Sequence, residues 1–141
     1  VKQLAVALLL ALLVVRTAGA GDLLVEQAWV REAPPGAAMM AAYLSITNRG
    51  DRDVELTGVE SAAFGHVMLH KSETVDGIAR MLHQDSIRVP AHGAVKLEPG
   101  GYHLMMPAPE SRLNAGDQVV FVLHFDDGSN ARVTAVVRKK P

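Results

Sequence analysis

Not one of the 141 residues is a cysteine. That absence removes disulfide bonds, thiol redox chemistry, cysteine nucleophiles, thiolate zinc sites and the cysteine-ligated blue-copper centre. Aromatic residues are scarce too, with one Trp, two Tyr and three Phe, so a core has to be built mainly from aliphatic side chains. Neither sign of charge is in excess: the formal net charge is −1. Such a balance argues against a nucleic-acid-binding surface and against an anionic membrane surface. Long apolar runs are also missing. The run Leu4 to Val15 falls short of the roughly 20 residues a membrane-spanning helix needs.

That run has a different use. Lys2 precedes it, and Thr17-Ala18-Gly19-Ala20 follows with the small residues of an A-x-A cleavage site, the layout of a secretory signal peptide. Residues 1–20 are therefore expected to be a cleaved signal and residues 21–141 a single exported domain, soluble and periplasmic. No cysteine follows the run, so the lipid of a bacterial lipoprotein has no attachment point within these residues. Beyond residue 20 the chain carries 12 Lys and Arg against 15 Asp and Glu. About 120 residues suffice for one domain with its own core.

Short runs rich in Val, Leu, Ile, Thr and Tyr alternate with turn residues, the pattern of an all-β sandwich or barrel. Strands are expected near 24–30, 41–47, 54–59, 67–71, 78–82, 86–89, 94–97, 102–105, 118–124 and 131–137. Turns fall at Asn48-Arg49-Gly50-Asp51, Asp76-Gly77, Pro99-Gly100-Gly101 and Asp126-Asp127-Gly128, among others. No window shows helical periodicity. Pro34-Pro35-Gly36 opens an irregular loop expected to run through Met40.

What the chain does have is six His and six Met, most of them between His66 and Met106. His103 and Met105, two apart on an expected strand, leave the same face of a sheet. His70 and Met81 flank Asp76-Gly77, a two-residue hairpin signal. With that loop His70 opposes His83, and Met81 lies diagonal to His70 on the same face. Each of two β segments thus offers an imidazole and a thioether on one face. Thioether sulfur is a soft, neutral ligand and imidazole a borderline one, so two of each without carboxylate or thiolate select Cu(I) over Zn(II) or Mg(II).

The spacing His70, ten residues, Met81, twenty-one residues, His103, one residue, Met105 resembles the H-x10-M-x21-H-x-M signature of the PCu(A)C family of periplasmic copper chaperones. Ala28-Trp29-Val30-Arg31, Ala41-Ala42-Tyr43-Leu44, Asn48-Arg49-Gly50 and Pro99-Gly100-Gly101-Tyr102-His103 are similar to that family as well. The resemblance implies a cupredoxin-like Greek-key β-sandwich with a surface-exposed Cu(I) site, ligated by His70, Met81, His103 and Met105, and no enzymatic activity. It also implies delivery of copper to a respiratory oxidase centre of the CuA type, the partner being an oxidase subunit or another assembly chaperone. The His/Met-rich tail of some members has no counterpart in Arg132 to Pro141.

Further His and Met residues stand near this set. His66 and Met68 share strand parity with His70, and His83 opposes it, so all three are auxiliary metal candidates. Met106 is expected in the core, Met39 and Met40 as loop packing, and His92 and His124 without partners. Copper storage, or an exported structural sandwich without metal, are the alternatives to a carrier.

Overall fold

The structure, a computed structural model, describes residues 20–139; all but the last residue of the expected signal segment lies outside the described residues. After a 3₁₀ turn at Ala20–Asp22, ten strands follow: β1 Leu23–Arg31, β2 Met39–Asn48, β3 Val54–Glu60, β4 Met68–Val75, β5 Ile78–His83, β6 Ile87–Val89, β7 Gly93–Leu97, β8 Tyr102–Pro107, β9 Gln118–Phe125 and β10 Asn130–Arg138. Every expected strand is present. β4 extends four residues past its expected end, because the hairpin continues to the Asp76-Gly77 turn. β2 starts at Met39 rather than after the loop.

One hydrogen-bonded path runs β5-β4-β8-β2-β1-β10-β9-β3-β6, with β7 also pairing β2. The path doubles over, so that β5, β4, β8, β7, β2 and β1 face β10, β9, β3 and β6 across a common core. Leu69, Leu104, Met106, Ala42, Leu44 and Val30 come from the first layer. Val119, Phe121, Leu123, Leu56, Val59, Ile87 and Val89 come from the second. Alternation supplies these residues, since every second side chain of a strand enters the core. The chain changes layer between β2 and β3, β3 and β4, β5 and β6, β6 and β7, and β8 and β9. This is the connectivity of a cupredoxin-like Greek-key sandwich.

Three local features set the outer face of the first layer. Gln27 has φ 54, and the β1–β2 register slips between Glu26 and Trp29. Before this bulge Leu23 and Val25 pack toward the core; after it Ala28 and Val30 do. One extra residue thus turns Trp29 and Arg31 outward. At the second feature, Asp76 and Gly77 have φ 53 and 77, the paired positive angles of a two-residue hairpin turn whose twist matches the strands. At the third, Pro99 and Gly100 form the centre of a turn closed by Gly101 N–H donating to Glu98 O at 3.0 Å. Gly100 has φ 86, which a side chain would resist.

Candidate metal centre

The hairpin turn fixes the β4–β5 register, with Val75 opposite Ile78, Ser72 opposite Met81 and His70 opposite His83. On its other side β4 pairs β8, with His70 opposite His103 and Met68 opposite Met105. His83, His70 and His103 therefore form a row across three adjacent strands. Neighbouring rings stand edge to face, with centroids 5.8 Å apart in both pairs. Met81 lies one step to one side of this row, and Met68 and Met105 one step to the other.

The Pro99-Gly100 turn aims His103. Gly101 O receives the backbone N–H of Ser72 at 3.0 Å and lies 3.1 Å from Nδ1 of His103. A carbonyl only accepts, so His103 carries its proton on Nδ1 and presents a lone pair at Nε2. That Nε2 is buried and has no partner, and neither has the buried Nδ1 of His70. Leaving a buried polar atom unpaired costs about 1–3 kcal/mol, and here two such atoms belong to neighbouring rings of the row. Burial, reinforced by the neighbouring His103 and His83, pushes the pKa of His70 below its ordinary value. The ring is thereby held neutral, the form that binds a metal.

The wall behind this row is aromatic. Tyr43 stands 6.5 Å from His103 and 4.7 Å from Trp29, centroid to centroid, and the Arg31 guanidinium lies over both Tyr43 and Trp29. Trp29, Tyr43, His103 and Met105 are buried although they point away from the core. His103 is 3% exposed and Met105 9%, whereas Met81 on the sheet-edge strand β5 is 60% exposed. Strand alternation puts no carboxylate on this face of β2, β4, β5 or β8. Asp85, just past β5, reaches His83 Nε2 at 3.5 Å. Among the described residues no three His, Asp or Glu side chains are placed to hold a metal ion.

Of the residues singled out from sequence, His70, His83, His103, Met68, Met81 and Met105 share this face. His66 does not. It precedes β4, is exposed, and lines a separate cleft of about 750 Å³ with Glu60, His124 and Arg132, because the chain is crossing between layers there and strand alternation has not begun. Met106 is in the core. Met39 is not loop packing: it begins β2 opposite Pro107, and Ala41 opposes Met105, so Met39 shares the outer face. Proline-glycine punctuation concealed this, although counting parity back from Tyr43 reveals it. His92 and His124 do have partners, Asp51 at 2.8 Å and Glu60 at 3.1 Å.

Residues 23–137 match the family described as "Putative lipoprotein LpqE-like". A relative from Leifsonia xyli subsp. xyli (strain CTCB07), "Putative lipoprotein Lxx21020", is 34% identical over 115 residues, which cover 81% of this chain and 68% of the relative. Among solved structures, the copper-bound PCuAC domain from PmoF2 is similar with a TM-score of 0.70 and 26% identity over 86% of this chain and 95% of that one. The solution structure of CuI-DR1885 from Deinococcus radiodurans gives a TM-score of 0.59 and 29% identity, covering 79% of this chain and 75% of that one.

Proposed function

The chain belongs to the LpqE-like family of PCu(A)C proteins, and from that premise we propose that it is an exported Cu(I) carrier whose cargo sits between His70 and His103. The observation that carries this reading is the pair of buried, unpartnered ring nitrogens, Nδ1 of His70 on β4 and Nε2 of His103 on β8, with Met105 on β8 and Met81 on the adjacent β5 sharing their face. Two solved structures with this fold, the copper-bound PCuAC domain from PmoF2 and CuI-DR1885, support copper as the cargo.

His70, Met81, His103 and Met105 are the ligands in this reading, with His83 and Met68 beside them. His66 lines a separate cleft and is left out of the set. A soft monovalent ion gains from two thioethers what a harder ion would not, and neutral ligands hold it without the charge attraction of thiolates. Met81, exposed on an edge strand, is where an acceptor's own ligand can approach before the donor's ligands have left. The role is transfer of metal rather than transformation of a substrate. The acceptor we propose is a thiolate copper centre of the CuA type in a respiratory oxidase, or another assembly chaperone. Residues 1–20 serve as the export signal in this reading and the rest functions in the periplasm.

A competitive Cu(I) titration followed by mixing with an apo acceptor bearing a Cys pair tests both steps. One Cu(I) per chain, passed rapidly to the acceptor and lost from a Met81→Leu/Met105→Leu variant, is the expected result. Retention of copper against that acceptor makes the protein a store instead. Absence of stoichiometric binding sinks the reading.

A further inference from the structure

A sheet face turned away from the core ordinarily carries polar side chains, yet four of the six methionines stand on this one. Met81 and Met105 belong to the site just described; Met39 and Met68 do not. Register puts Met68 directly opposite Met105, and Met39 opposite Pro107, two residues along from Met105. Directly opposed Cβ atoms lie about 4.5–5.5 Å apart and diagonal neighbours about 7–8 Å, within the combined reach of thioether side chains. Between Met39 and Tyr43 on β2 stands Ala41, opposite Met105, whose single methyl adds little bulk between these thioethers. Exposure falls along the group, from 40% at Met39 through half-buried Met68 to nearly enclosed Met105 and His103. Thioether side chains therefore run in sequence from an exposed position to the buried His103.

We propose that Met39, Met68 and Met105 form a second, thioether-only Cu(I) site, a port through which metal reaches His70 and His103; the proposal rests on the copper-carrier reading. Three neutral thioethers hold a soft d¹⁰ ion weakly and refuse hard cations. Met105 belongs to both sites. Copper moves inward by exchanging Met39 and Met68 for the two imidazoles while still bonded to Met105. It stays Cu(I) throughout, and no electron or proton has to move with it.

The test uses competitive Cu(I) titration together with ¹H–¹³C spectra of the methionine methyls. In a His70→Ala/His103→Ala variant the port predicts one remaining Cu(I), held more weakly, with the methyls of Met39, Met68 and Met105 shifting; adding Met39→Leu/Met68→Leu abolishes it. In the otherwise wild-type protein, Met39→Leu/Met68→Leu slows loading from a Cu(I) chelate several-fold while the final stoichiometry stays at one. Unaltered Met39 and Met68 methyls in the wild-type protein during loading, together with unchanged loading rates in the Met39→Leu/Met68→Leu variant, overturn the port even if the histidine variant fails to fold. A histidine variant that folds and binds nothing, beside a wild type that binds one Cu(I), removes the port and leaves the carrier reading standing. A wild type that binds no Cu(I) removes both.

Discussion

His103 is oriented by Gly101, whose carbonyl oxygen lies 3.1 Å from its Nδ1 and also holds the N–H of Ser72 on the neighbouring strand. One backbone oxygen thus sets the tautomer of an imidazole and the approach of β4 to β8. Partners of this kind, one bond removed from the metal, decide which lone pair a ligand presents.

Gly100 makes that carbonyl available, through a turn that needs its φ of 86. Gly100→Ala is expected to cost about 1–2 kcal/mol of stability from backbone strain. It is expected to weaken Cu(I) binding by about 10–100-fold, as loss of a ligand's orienting partner does. Urea unfolding and Cu(I) competition on the same variant measure the two effects. Unchanged affinity in a destabilised variant would show that His103 does not depend on the turn.

Among the side chains in the row, His70→Ala is expected to weaken copper binding far more than His83→Ala, because His70 has a buried unpaired nitrogen and His83 is exposed beside Asp85. Met81→Leu nearly conserves volume at an exposed position, so the thermal midpoint should move little while Cu(I) affinity drops. If His83→Ala matches His70→Ala, the ligand set has to be redrawn around the three-histidine row.

The depressed pKa of His70 makes the metal-free fold sensitive to acid. The unfolded chain titrates near the ordinary imidazole value of about 6.5, and the folded ring titrates lower. Unfolded chains therefore take up the proton first as pH falls. The His70 contribution is complete above about 6.5, declines as pH drops through that value, and levels off below the folded pKa. The urea midpoint of the wild type should fall relative to that of His70→Asn over this range, both proteins being without metal. Parallel curves would dissociate His70 from the acid response.

Trp29 is the sole tryptophan and contacts Tyr43, which in turn faces His103. Binding of copper at His103 is expected to quench Trp29 fluorescence, saturating at one equivalent, with the response lost in His103→Ala. An unaltered emission spectrum in a protein that demonstrably binds one Cu(I) would locate the metal elsewhere.

Much of this site is legible before folding. The opposition of His70 and His83 follows from Asp76-Gly77, because a two-residue turn ties register to local backbone angles. The shared face of His103 and Met105 follows from the two-residue period of a strand, and the proposal of a soft metal rests on residue types alone. His66 shows where such counting stops: alternation predicts its face only once the chain is extended, and at His66 it is still crossing between layers.

The remaining features depend on partners distant in the chain. Nothing near residue 70 announces that β4 will lie beside β8, placing His70 against His103, since non-neighbouring strands pair according to how the whole sandwich closes over its core. The extra residue at Gln27 reverses which side chains of β1 face outward, so a one-position slip decides whether Trp29 joins the core or backs the site. Burial of His103 and the unpaired nitrogens likewise arise when β2 and β4 close against β8. Sequence determined the strands, the hairpin register and which imidazole and thioether side chains are on offer, because these follow from local sterics and residue types. Tertiary structure decided which of these side chains meet, how deeply they are buried and that Met39 shares their face, because those depend on pairings that local backbone preferences cannot encode.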